Sequence, residues 1–188
     1  MAFFAGLDDD MGVRGILQLN RPAGKALIEL HEAVMRQPSA LSAAERELIA
    51  AYVSGLNACT YCFGVHAEVA KAYGVPAARI AALLDDIDAS DVEDRLKPIF
   101  KFARTATLTP ARVAQADVDA ILAAGWPEQA VHDALQVCCL YNFMNRLLDG
   151  HGVHSKHEVW RARGHGLMQG GYTPLLKALG YGTSRTKD

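Results

Sequence analysis

The chain has 188 residues, 51% of them hydrophobic and 21% charged, which is ordinary globular composition and enough length to bury one core. A formal net charge of −2, with no basic run interleaved with aromatics, leaves no electrostatic footprint for nucleic acid. The opening stretch from Met1 to Asp10 lacks the basic start and apolar core of a secretion signal, and no apolar run reaches bilayer-spanning length, so the expectation is a cytoplasmic protein with no membrane partner.

The first twenty residues read as extended. Pro22 to about Arg36 is expected to be the first helix, closed by Gln37 and Pro38. Ser42 with Glu45 three residues on is a capping box, and it starts a second helix over about Ala43 to Leu56. Asn57 is the expected N-cap of a third helix that opens at Ala58 and stops at Gly74. Pro76 then opens another helix at its first-turn position. A second capping box, Ser90 with Glu93, is expected to lead a helix through Phe100 and Phe102 toward Thr107, where Thr109 and Pro110 break the chain. A shorter helix from about Ala116 to Ala124 ends at Gly125. Trp126 and Pro127 introduce a long one from Glu128 to Leu148, closed by Gly150. After Gly164 the pattern is glycine hinges and a short apolar helix from Pro174 to Leu179, an arm that either folds back on its own domain or crosses to a neighbouring subunit. No alternating strand appears. The expected fold is all-α, one multihelical domain over residues 1–188, with a motif core at about 41–75 and a C-terminal arm at about 164–188.

The chemistry concentrates in the third helix. Cys59 and Cys62 lie about 60° apart around a helix axis, and His66 projects between them, so one face carries two thiols and an imidazole. The thiolate is the nucleophile, and a helix N-terminus, a basic neighbour and a Cys-X-X-Cys partner each lower a thiol pKa. Cys62 is therefore the expected attacking thiol, acidic for a cysteine, with His66 one turn away as its base. Glu47, at helical spacing from Ala51 and Ser54 on the preceding helix, either orients His66 or belongs with Glu45 and Arg46 to a solvated charged patch. Zinc is the rival chemistry for Cys59, Cys62, His66 and Glu47. A structural zinc site usually draws its ligand pairs from two separate knuckles, and no second pair completes this one, so no metal is expected.

Elsewhere the residues read as packing or surface. Cys138 and Cys139, flanked by Val137, Leu140 and Tyr141, are expected to pack as small apolar side chains. Tyr141, Phe143 and Met144 form an apolar belt that packs in the core or lines a pocket. His151, His154 and His157 recur every three residues beside glycines, a surface pattern more than a ligand set, and His132 reads as partly exposed. With no glycine-rich dinucleotide fingerprint, no cofactor is expected.

The stretch from Leu41 to Glu47, through Cys59-Thr60-Tyr61-Cys62-Phe63-Gly64-Val65-His66, to Lys71 and Val75 resembles the AhpD-like alkylhydroperoxidases of the carboxymuconolactone decarboxylase superfamily, in particular its peroxidase-related branch. Tyr141 to Arg146, followed by Asp149 and Gly150, resembles the same branch further on. The resemblance implies a proton relay of Glu47, Cys59, Cys62 and His66. It also implies a small hydroperoxide substrate, an external dithiol or thioredoxin-like reductant, and a homo-oligomer, a trimer or trimer-based hexamer. The family's best-characterised members carry a relay histidine before the second cysteine. Here that position is Tyr61, a phenol with a reference pKa near 10 and a poor base at neutral pH, so its expected role is an accessory hydrogen-bond donor. The function implied is a thiol-dependent hydroperoxide reductase. A general thiol-disulfide oxidoreductase or redox sensor and a non-enzymatic oligomeric or metal-binding module are the alternatives.

Overall fold

The computed structural model describes residues 2–7, 12–154 and 157–181. The described helices are α1 (Val13–Leu19), α2 (Arg21–Arg36), α3 (Ala43–Leu56), α4 (Thr60–Ala72), α5 (Ala77–Asp85), α6 (Lys97–Leu108), α7 (Gln115–Ala123), α8 (Glu128–Gly150), α9 (His157–Gly170) and α10 (Pro174–Ala178). No strand occurs among the described residues, so the fold is all-α and multihelical. No helix among them is long and apolar enough to cross a membrane.

The centre of the bundle is α3. Its buried run is unbroken from Arg46 to Ser54, and it packs against α4, α5, α6 and α8. A helix enclosed on all sides has no solvent face to spare for polar residues, so Arg46 and Glu47 within it must be satisfied internally. Arg46 donates to the carbonyls of Val34 and Gln37, both at 2.9 Å. The start of α3 is the expected capping box: Glu45 N donates to Ser42 Oγ and Ser42 N to Glu45 Oε2.

The junction between α3 and α4 differs from expectation. Asn57 caps the end of α3 rather than the start of α4. Ala58 N donates to Gly55 O and Cys59 N to Ser54 O, the paired bonds of a Schellman turn, and Ala58 occupies the left-handed position at φ 55°. Glycine is the usual residue there, and alanine hid the turn. The turn delays α4 to Thr60, makes Cys59 its N-cap residue and places Cys62 third in the helix.

Three other expectations need correction. Residues 13–19 are helical rather than extended, with Ile16 and Leu17 buried and Tyr181 Oη donating to Leu17 O at 2.5 Å. Ser90 forms no capping box: its hydroxyl donates to Ile87 O, and α6 begins only at Lys97 after a short 3-10 turn. The glycines between 164 and 170 are not hinges but part of α9, which lies along α4. A Cβ on Gly64 would run into the Trp160 indole, and one on Gly164 would sit 2.7 Å from Glu68 Cβ. These two glycines let the helices approach closely. Beyond α9, Tyr172, Leu176, Leu179 and Tyr181 are buried against their own chain, and Arg21 donates to Gly180 O. The rest of the expected arm, residues 182–188, lies outside the described residues.

Candidate active site

Helices α1, α2, α4, α8, α9 and α10 enclose a cavity of about 600 Å³ with mostly apolar walls, among them Leu17, Ile28, Val65, Met144 and Leu148. Cys62 and His66, one turn apart on α4, both form part of its wall. Cys59 is fully buried and does not line it, so Cys62 is the sulfur that meets the cavity. All four cysteines are free thiols.

Behind the wall, α3 supplies the carboxylate. Glu47 is completely buried; one oxygen meets His66 Nδ1 at 2.6 Å and the other meets Arg36 Nη2 at 2.6 Å. This excludes the solvated-patch reading of Glu47. Burial alone would push its carboxyl up, but His66 and then Arg36 outweigh that and hold it below the usual carboxylate range. An ionised Glu47 accepts from Nδ1–H, which makes Nε2 the basic nitrogen of a neutral His66. Arg36 is fixed by Leu167 O at 3.2 Å and by the Tyr172 ring, whose centroid lies 5.0 Å from its guanidinium carbon. Tyr172 Oη donates to Glu47 Oε1 at 3.4 Å and so receives the Tyr141 hydroxyl at 3.1 Å. Burial pushes both phenols well above their ordinary values, so both stay neutral.

The thiol is not acidic, contrary to the expectation from its helix position. The adjacent Cys59 thiol, and then burial, raise Cys62 well above its ordinary value, and only the Asn145 amide in contact with the sulfur pulls the other way. The helix N-terminus favours a thiolate by about 0.3–1 kcal/mol in exposed settings, too little to offset the desolvation of a buried anion. Asn145 is itself buried and its amide orientation is fixed. Asn57 Nδ2 donates to its Oδ1 at 2.8 Å, and its own Nδ2 donates to Ser54 Oγ at 3.0 Å.

Tyr61 also lines the cavity, under the Arg163 guanidinium. Its hydroxyl accepts a hydrogen bond from Arg163 Nη1 rather than acting simply as a donor. Among the described residues no group of three or more His, Cys, Asp or Glu side chains converges on a metal-sized site. Cys138 is buried near Thr107, but Cys139 is exposed, which corrects its reading as a packing residue. Tyr141 and Met144 line the cavity, whereas Phe143 is half exposed on another face. His132 is exposed.

The sequence reading missed Arg36, Tyr172 and His31. Arg36 looked like an ordinary basic residue in the last turn of α2, and its distance from Glu47 in the chain gave no sign of the pairing. The one available signal for Tyr172 was an aromatic beside two glycines at the start of the arm.

Residues 21–92 match the model of the carboxymuconolactone decarboxylase family. No curated protein matches the sequence. Among solved structures, an uncharacterized peroxidase-related protein from Silicibacter sp. TM1040 superposes with a TM-score of 0.74 at 22% identity, over 81% of this chain and 79% of its own. An uncharacterized peroxidase-related protein from Ralstonia eutropha JMP134, described as an alkylhydroperoxidase AhpD core, gives 0.74 at 18% identity, over 87% and 96%. A cysteine-to-alanine variant of the debrominase Bmp8, in complex with 2,3,4-tribromopyrrole, gives 0.65 at 14% identity, over 91% and 89%. The chain thus has the fold shared by AhpD-like, carboxymuconolactone decarboxylase and peroxidase-related proteins.

Proposed function

We propose that this protein is a thiol-dependent hydroperoxide reductase of the peroxidase-related branch, acting through Cys62 and Cys59 with a His66–Glu47 proton relay. The observation that carries the reading is the placement of Cys62 and His66 on one turn of α4, at the wall of one cavity, with His66 Nδ1 held by a buried carboxylate. Because the resting thiol is protonated, deprotonation accompanies attack: His66 Nε2 takes the Cys62 proton as the sulfur approaches the distal oxygen of ROOH. The S–O bond forms, the O–O bond breaks, and the imidazolium returns the proton to the leaving alkoxide, giving ROH and Cys62 sulfenic acid. Cys59 thiol then condenses with the sulfenic acid, forming the disulfide and releasing water. Glu47 stabilises the transient imidazolium, and Arg36 keeps Glu47 ionised. Tyr61 is an accessory wall residue whose hydroxyl accepts from Arg163.

An external dithiol reduces the disulfide by two thiol exchanges. Burial of both sulfurs favours a small dithiol that enters the cavity over a thioredoxin-like protein. A working dithiol fits a reducing compartment, the cytoplasm, and the branch assignment carries with it a homo-oligomer, a trimer or trimer-based hexamer. The test is a titration of the reduced protein with cumene hydroperoxide. Two thiols should disappear per hydroperoxide consumed, and none in Cys62→Ser. An unchanged thiol count in the parent protein refutes the proposal, and faster oxidation by a small disulfide than by hydroperoxide reassigns the pair to thiol-disulfide exchange.

A further inference from the structure

The relay leaves one buried titratable side chain of the cavity without a task. His31, on α2, is 7% exposed and lines the same cavity as Cys62 and His66. Its Nδ1 lies 2.6 Å from Leu27 O. A carbonyl only accepts, so Nδ1 carries the proton, and Nε2 is left as an unprotonated acceptor. Two rings flank the imidazole: Tyr172 lies tilted against His31 at a centroid distance of 5.1 Å, and Tyr141 meets it edge-on at 6.0 Å. The same two phenols are tied to the relay, Tyr172 to Glu47 and Tyr141 toward His66. No described side chain donates to His31 Nε2. Burial penalises the charged ring and lowers its pKa to about 4, so the imidazole is neutral at physiological pH.

A fixed neutral acceptor in a mostly apolar wall favours one feature of a ligand, an O–H or N–H placed against it. We infer that His31 is the ligand-orienting residue of this cavity, its Nε2 accepting a hydrogen bond from the hydroxyl or hydroperoxyl group of an otherwise apolar ligand. The inference deepens the hydroperoxide reading and rests on it for the ligand's class, but hydroxyl recognition itself requires no turnover. An ether or an ester of the same shape leaves Nε2 unpaired. A carboxylate brings a lone pair against it and no donor.

The experiment compares binding of 2-phenyl-2-propanol and its methyl ether to the reduced protein by calorimetry. Neither compound has an O–O bond, so the outcome is independent of whether Cys62 reduces hydroperoxides. The alcohol should bind about two- to tenfold more tightly than the ether, the range expected for one net hydrogen bond. In His31→Leu the ratio should fall to one. A second measurement needs no variant: in the parent protein the His31 Nε2 nitrogen resonance should move upfield on adding the alcohol and stay in place with the ether. Equal affinities in the parent protein, failure of both compounds to bind, a preference that survives in His31→Leu, or a resonance indifferent to the alcohol each overturn the inference. Hydroperoxide consumption, measured separately, reports on the proposed Cys62 chemistry.

Discussion

Acidification should destabilise this protein in a window set by His31. The ring is buried and neutral in the folded chain, with its pKa lowered from 6.5 to about 4, chiefly by desolvation, with the bond to Leu27 O acting in the opposite sense. His66 disfavours a charge on it and Glu47 favours one, and Tyr141 and Tyr172 are neutral neighbours. Between these two pH values the unfolded chain binds a proton that the folded chain does not, so stability falls as pH falls, starting near 6.5 and levelling off near 4. At about 1.4 kcal/mol per pKa unit the total loss is about 3 kcal/mol, of which about 2 kcal/mol has gone by pH 5. For a chain of this length, about 2–4 °C per kcal/mol converts the total to a fall in Tm of about 6–12 °C. Other groups titrate in the same range, so the informative quantity is a difference. Thermal unfolding of the parent protein and of His31→Leu, followed by circular dichroism from pH 7.5 to 4, should show the stability difference shrinking by about 3 kcal/mol as pH falls. A difference that stays constant with pH would refute the reasoning, because it would mean that His31 titrates alike in both states.

Glu47→Ala removes the shared partner of Arg36 and His66 and should cost about 3–5 kcal/mol, the usual penalty for orphaning a buried charge. Differential scanning calorimetry checks it, and a Tm change of less than about 2 °C contradicts the ion-pair account. Ala58→Gly relieves a left-handed alanine and should stabilise by about 0.5–1 kcal/mol after allowing for the freer unfolded chain, read as a higher urea midpoint at unchanged slope. Cys59→Ala removes the largest upward influence on Cys62, so the pH profile of Cys62 alkylation should move to lower pH. Asn145→Leu should move it higher, since the amide is the influence that opposes the rise; profiles that move together would exclude the assignment. Gly164→Val drives a side chain into Glu68 and the Val69 backbone and should cost about 1–3 kcal/mol, with the loss visible in chemical denaturation.

The helical bundle was legible because its signals are local. The capping box at Ser42, the glycine stop at Gly74 and the 3.6-residue periodicity of α2 and α8 need no knowledge of distant residues. What was misread depended on contacts across the chain. Gly164 reads as a hinge because a glycine that admits a neighbouring helix looks the same in sequence as one that bends. Asn57 read as an N-cap because its true partners, Asn142 and Asn145, are more than eighty residues away. At the site, Cys62 and His66 sit one turn apart on α4 as their spacing implies, but Cys59 falls outside that helix, and neither the burial of Glu47 nor the Cys62 environment follows from spacing. Helix position and a neighbouring cysteine suggested an acidic thiol. The Cys59 thiol, and then desolvation by the whole enclosure, reverse the direction.

That reversal changes what the proposed chemistry asks of the base. An exposed thiolate would react with any oxidant or alkylating agent that reached it, and its rate would follow its own ionisation. A buried thiol held in its protonated form is inert until a proton acceptor and a ligand are both in place. In the proposed reaction the acceptor is His66, because the contact of Glu47 with Nδ1 leaves Nε2 as the basic nitrogen and Arg36 holds Glu47 ionised. The fold leaves the ligand to be selected by the cavity. On this reasoning Cys62→Ser and Glu47→Gln should differ in kind. The serine variant loses the reacting atom and all hydroperoxide consumption, whereas the glutamine variant keeps the thiol but destabilises the imidazolium. Its loss should therefore appear in kcat more than in KM, and should be smaller for a stronger oxidant such as a peracid, whose leaving group needs less help from the returning proton. A Glu47→Gln protein that folds normally and loses affinity for hydroperoxide at unchanged kcat would place Glu47 in binding and remove it from the relay.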